Sequence, residues 1–193
     1  MKLIIASNNK HKIKEIKTIL ADKFDEIISL SEAGICHETV EDGKTFIDNA
    51  LKKAREIADI SGECALADDS GITAHALGDE PGVFSARYAG THEANAADEE
   101  NNKLLLKNLA DKTDRTAHYT AAIALVYPDG REVTAEGYMY GTLIDTPRGN
   151  AGFGYDPIFV PDGEERTVAE MTPDEKNKIS HRAKALIALL GKL

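Results

Sequence analysis

Apolar residues Leu3, Ile4 and Ile5 give way to a polar run from Ser7 to Lys12, after which Ile13, Ile16 and Leu20 recur at helical spacing. The pattern predicts a strand over 2–6, a polar turn and a helix. Residues 26–30 read as a second strand, and the polar stretch from His37 to Lys44 has no periodicity, as expected of a loop. Thr45 and Asp48 form an S/T-x-x-D/E capping pair, and Phe46, Ala50, Ala54, Ile57 and Ala58 make the stripe of a helix that stops at Gly62. Cys64 to Ala67 is a four-residue apolar strand running into Asp68-Asp69-Ser70-Gly71. This places carboxylates at a strand's carboxyl end, where open α/β sheets bind ligands.

Gly78 to Gly90 reads as a loop and Ala94 to Leu109 as a helix. Tyr119–Tyr127 and Glu132–Ile144 flank the turn tripeptide Pro128-Asp129-Gly130, predicting an antiparallel hairpin. A loop over 146–152 precedes Phe153 to Val160, whose glycine-interrupted first half is irregular and whose second half is a strand. Thr172, Pro173 and Glu175 start one last helix, with Ile179, Ala183, Leu186, Ile187 and Leu190 as its stripe. Parallel units plus a hairpin make an α/β fold on a mixed sheet.

Composition narrows the function. With 23 Lys plus Arg against 33 Asp plus Glu, the net charge is −10, which argues against a nucleic-acid backbone binder. The apolar N-terminal run is too short for a signal core or a membrane span, so no membrane partner and a cytoplasmic location are expected. Cys36 and Cys64 read as reduced structural thiols. The six histidines form no metal-ligand spacing, and those outside the motifs below, His118 and His92 among them, read as structural or surface residues.

Five segments carry candidate chemistry. Ser7 to Lys12 joins a strand to a helix N-terminus, a corner that binds anions and equally a plain cap with solvated lysines. Asp68-Asp69, with Glu41 as a further carboxylate, offers oxygen ligands for Mg²⁺, or an Asx-stabilised turn. Lys53, beside the apolar stripe of its helix, either aims its amine at a cleft or snorkels. Lys176, Ser180, His181 and Arg182 group at the start of the last helix, as a ligand cluster or a solvated basic start. Phe153, between Gly152 and Gly154, offers a stacking face or a core side chain.

Six motifs in order then tie the segments together: S-x-N-x-x-K at 7–12, E-x-G-x-T-F-x-x-N-A at 41–50, D-D-S-G-I from Asp68, S-A-R-Y-A-G at 85–90, G-F-G-Y-D-P from Gly152 and E-K-N-x-x-S-H-R from Glu175. Together they resemble the inosine triphosphate pyrophosphatase family, with Ser7 where many members carry Thr and Tyr155 where some carry Trp. The resemblance implies an elongated single domain over 1–193 with two lobes around a substrate cleft, and a homodimer. It implies cleavage of inosine and xanthosine triphosphates, ribo or deoxy, between the α- and β-phosphates. One Mg²⁺ per subunit, with Mn²⁺ as a substitute, is expected on Glu41 and Asp69, with Asp69 taking the proton of the attacking water. Ser7, Asn8, Asn9, Lys12, Lys53 and Ser70 would serve the phosphates; Lys10 and His11 share that loop but match no motif position. Phe153, Lys176, His181 and Arg182 would serve the base, with Gly154, Tyr155 and Asp156 as further substrate-binding residues. Two other readings are a septum-inhibition-type pyrophosphatase, whose S-x-S/P-R-R loop the sequence Ser7-Asn-Asn-Lys-His-Lys12 does not match, and a non-catalytic nucleotide sensor.

Overall fold

The computed structural model describes residues 1–90 and 94–193, the side chains of 94–97 excepted; His92 lies outside the described residues. Strands β1 (Lys2–Ile5), β2 (Glu26–Ser29), β3 (Cys64–Ala74), β4 (Thr116–Val126), β5 (Glu132–Leu143) and β6 (Phe159–Pro161) form one sheet in the order β2-β1-β3-β4-β5-β6. Helices are α1 (Lys10–Leu20), α2 (Phe46–Ser61), α3 (Ala94–Asn108), α4 (Pro173–Ile179) and α5 (His181–Leu190). β1 pairs parallel with both β2 and β3, while β5 and β6 are antiparallel. The turn between β4 and β5, closed by the Tyr127 N–H on the Arg131 carbonyl, is too short to join parallel neighbours. The sheet is mixed, as the sequence predicts.

The chain divides into two compact units, Met1–Asp69 with Ala121–Gly137 and His181–Leu193, and Ser70–Thr120 with Tyr138–Ser180. In the first unit successive strand residues face opposite sides of the sheet. Leu3, Ile5, Leu66, Ile123 and Leu125 pack with Ile16 and Leu20 of α1 and Leu186 and Leu189 of α5. Ile4, Ala65, Ala67, Ala122 and Ala124 pack with Ala50, Ala54 and Ala58 of α2. Alanines on both surfaces bring α2 close to the strands. Gly137 does the same for α5, since a Cβ there would lie 2.2 Å from the His181 carbonyl oxygen. Thr45 caps α2 in a reciprocal box with Asp48, and Gly62 ends it in the left-handed conformation.

The second unit packs Ile72, Ala117, Tyr119, Met139 and Leu143 of the strands against Leu105 and Leu109, with Tyr155, Ile158 and Phe159 filling the same core. Three expectations change. The strand expected to end at Ala67 runs on to Ala74, because neighbours in the sheet override the turn preference of Asp-Asp-Ser-Gly. The single last helix is two, broken at Ser180, whose extended backbone (φ −65°, ψ 150°) caps α4. The segment 78–90 is not all loop, since a 3₁₀ helix occupies Gly82–Arg87. Of the two free thiols, Cys64 is buried as expected but Cys36 is exposed.

Candidate active site

Period-two geometry splits the Asp68-Asp69 pair. Asp68 follows Leu66 on the sheet face covered by α1 and α5, and Asp69 follows Ala67 on the face covered by α2. Their partners differ accordingly. Asp68 accepts from Arg182 Nε at 2.9 Å and Nη2 at 3.3 Å, pairs with Lys12 Nζ at 2.7 Å, and has a fully buried side chain. Burial alone pushes its carboxyl pKa up, but the Arg182 and Lys12 charges outweigh that and hold it far below the carboxylate range. Arg182 also donates to Glu15 of α1, so its guanidinium is spent on carboxylates within the fold.

Asp69 meets α2. Its Oδ2 accepts from Asn49 Nδ2 at 3.0 Å and its Oδ1 from Lys53 Nζ at 3.3 Å. The same ammonium donates to Glu41 Oε1 at 2.6 Å and to the Asp68 carbonyl at 3.0 Å. Burial raises the Asp69 pKa, only partly opposed by Lys53 and Lys12. For Lys53, burial works toward a lower pKa, and the Asp69 and Glu41 carboxylates reverse it to a raised one. Asn49, fully buried, uses its Oδ1 to accept the Gly43 N–H at 2.8 Å, so one amide ties the loop bearing Glu41 to Asp69.

Two carboxylates converging on one buried ammonium make an oxygen-rich corner that fits Mg²⁺, which takes one or two carboxylates with waters and phosphates. Among the described residues no group of three or more His, Cys, Asp or Glu could hold a metal, so water or substrate oxygens must complete such a shell.

The parallel register pairs Ile5 with Leu66, so the loop leaving β1 starts beside the stretch of β3 that leads into Asp68. The carboxyl end that matters is therefore that of β1. Asn9 caps α1, its Oδ1 accepting the His11 and Lys12 N–H groups at 2.9 and 3.2 Å, and Ser7 Oγ accepts the Asn9 N–H at 3.2 Å. Asn8, Lys10 and His11 are exposed, and Lys12 reaches the buried Asp68 carboxylate.

In the second unit, the Lys176 ammonium lies 4.6 Å from the centroid of the Phe153 ring and donates to Asp156 Oδ2 at 2.9 Å. Asp156 also accepts the Phe153 N–H at 3.0 Å and the Tyr119 hydroxyl at 3.2 Å. Gly152 makes room for this: at φ +77° its Cβ would lie 2.1 Å from Asp156 Oδ2. Lys176 is thus a buried, paired side chain and not a solvated one. Tyr155 is buried and donates its hydroxyl to the Ser85 carbonyl at 2.7 Å, and the Gly154 N–H is taken by Asp98 at 2.7 Å. Ser70 is half-buried on β3.

The expected grouping of Lys176, Ser180, His181 and Arg182 on one helix does not form. Lys176 belongs to α4, and buried His181 and Arg182 open α5. Two residues of this site carry no sequence assignment: Asn49 sits inside the motif over 41–50, whereas nothing in the α1 pattern marks Glu15.

The Ham1 family model matches residues 3–192. The chain is 47% identical to a dITP/XTP pyrophosphatase of Clostridium perfringens, aligning 100% of this chain with 97% of that one, and 48% identical to one of Leuconostoc mesenteroides over 100% and 96%. The structure is similar to that of the Staphylococcus aureus Ham1 protein, with a TM-score of 0.88 at 37% identity over 100% and 97% of the two chains. A HAM1 protein from Coxiella burnetii gives a TM-score of 0.88 at 40% identity over the whole of both chains. With the family model spanning nearly its full length, this chain belongs to the Ham1 family.

Proposed function

We propose that the protein hydrolyses non-standard purine nucleoside triphosphates, dITP and XTP with their ribo and deoxy counterparts, to the monophosphate and pyrophosphate. The observation that carries the reading is the shared Lys53 ammonium between Glu41 and Asp69, beside a Lys12 that is paired to Asp68. Glu41 and Asp69 would hold Mg²⁺, with Mn²⁺ as a substitute. When bound, the ion neutralises phosphate charge. Asp69 takes the proton of the attacking water at a carboxylate oxygen. Lys12 and Lys53, with Ser7, Asn9 and Ser70, stabilise charge on the phosphates. Asp68, held by Arg182, positions Lys12.

Phe153 supplies the stacking face and Lys176 the donor for the base. Hypoxanthine and xanthine present an O6 acceptor where adenine presents an N6 donor. A Lys176 donor facing that amino group leaves both unpaired, which costs orders of magnitude in kcat/KM. The homodimer rests on the resemblance; among the described residues, no helix is long and apolar enough to cross a membrane.

The test is pyrophosphate release from dITP, XTP, dGTP, dATP and dTTP, with Mg²⁺ and with EDTA, for wild type and Asp69→Asn. Metal-dependent release from dITP and XTP, lost in the variant, is expected. Equal rates on all five, a preference for dTTP, or an active Asp69→Asn would overturn the substrate or the base assignment.

A further inference from the structure

A second cluster of chemistry lies on the second unit, on residues the proposed reaction does not use. His75 opens the 3₁₀ turn that follows β3, and His118 stands on β4 between Ala117 and Tyr119, whose side chains enter the core; His118 therefore faces the other side of the sheet. Nε2 of His75 and Nδ1 of His118 are 2.9 Å apart. Tyr138 and Tyr140 of β5 flank His118, with ring centroids at 6.0 and 5.3 Å, and both are exposed to solvent.

The surrounding hydrogen bonds fix one tautomer. Thr116 Oγ1 donates to Asp114 Oδ1 at 2.7 Å, so it must accept from His75 Nδ1, 2.9 Å away. With its proton on Nδ1, neutral His75 presents a bare lone pair at Nε2, toward His118. A carboxylate acting through a hydroxyl on the far nitrogen of an imidazole is the support that ligating histidines ordinarily have. Burial first and the neighbouring His75 next lower the His118 pKa, opposed by Asp79, which favours the neutral ring that ligates a metal.

We propose that His75 and His118 form a two-imidazole site for a late first-row divalent cation, Ni²⁺ or Cu²⁺, separate from the carboxylates of the first unit. Metal–imidazole bonds of about 2.0–2.1 Å meeting at a right angle set the two nitrogens about 2.8–3.0 Å apart, whereas a tetrahedral angle needs about 3.3 Å. The 2.9 Å spacing, set in the metal-free protein by the N–H···N hydrogen bond, matches the right-angle pair that octahedral or square-planar ions take. The ion replaces the proton that His118 Nδ1 shares with His75. That proton moves to Nε2 of the same ring through solvent, so neutral rings bind with no net proton release. Each lone pair turns by about 45° from the line joining the nitrogens, and waters fill the other positions.

The experiment is calorimetric titration of the full chain with Ni²⁺ in excess Mg²⁺, in a Cys36→Ser background that removes the exposed thiol next to His37. One Ni²⁺ per chain is expected, with affinity falling tenfold or more in His75→Gln and in His118→Phe. Thr116→Val should weaken binding by a smaller factor with both ligands retained. Hydrolysis of dITP in Mg²⁺ should be unchanged in His118→Phe. Imidazole ¹H–¹⁵N spectra of the Cys36→Ser protein with all six histidines intact give a readout independent of folding of the histidine variants. Substoichiometric Ni²⁺ should broaden His75 and His118 before the other four histidines. Absence of a Ni²⁺ site in the Cys36→Ser protein, undiminished affinity in either histidine variant, or simultaneous broadening of all six would overturn the proposal.

Discussion

Replacing Arg182 with Met tests the charge arrangement at the centre of the first unit. The side chain is only 1% exposed and donates to a carboxylate that is 0% exposed, so truncation strips the buried Asp68 charge of its guanidinium partner. Glu15 loses the Arg182 guanidinium at the same time. Removing one member of a buried pair costs about 3–5 kcal/mol. The Lys12 ion pair at 2.7 Å remains, which places the expected loss near the lower bound, about 3 kcal/mol. For a chain of this length that lowers Tm by roughly 6–12 °C. Urea unfolding at neutral pH should show a lower midpoint with an unchanged slope. Asp68→Asn in the Arg182→Met background should restore part of the loss, because it removes the stranded charge, giving a coupling of about 2 kcal/mol in the double-mutant cycle. A loss under about 1 kcal/mol in Arg182→Met, or additive single effects, would refute the view that Arg182 exists to neutralise Asp68.

Other perturbations probe neighbouring contacts. Asn49→Ala cuts the link between the Gly43 N–H and Asp69, and should lower kcat at least tenfold while costing about 1–3 kcal/mol of stability, read by pyrophosphate release and urea unfolding. Gly152→Ala forces a Cβ onto Asp156 Oδ2 and should raise KM for dITP more than it lowers kcat, since Asp156 holds Lys176; an unchanged KM would separate this loop from base binding. Lys17 first, then Ser29, holds the Glu32 carboxyl down at about 2. A depressed carboxyl stabilises the fold above its ordinary pKa and loses that contribution as pH falls toward the folded value. Glu32→Gln should therefore flatten the pH dependence of stability between about pH 4.5 and 2, and an unchanged acid limb would contradict the pairing.

Local patterns determined much of this protein. The capping boxes at Thr45 and Thr172 start helices where the sequence places them, because a cap needs only residues within one turn. The apolar periods fixed which faces of α1 and α2 are buried, the Pro128-Asp129-Gly130 turn fixed the hairpin, and six ordered motifs fixed the family. Tertiary structure decided the rest. Asp68-Asp69-Ser70-Gly71 reads as a turn by itself and is a strand only because other strands supply its partners. Once in a strand, the two aspartates must face opposite sides of the sheet, and only the placement of α1, α2 and α5 gives one to Arg182 and the other to Lys53. The break at Ser180 is equally invisible to periodicity, since Ile179 and Ala183 keep helical spacing across it. Pairings between residues more than a hundred positions apart, Arg182 with Asp68 and Glu15, leave no local signature, because the charge that pays for burying each group comes from a distant element of the chain.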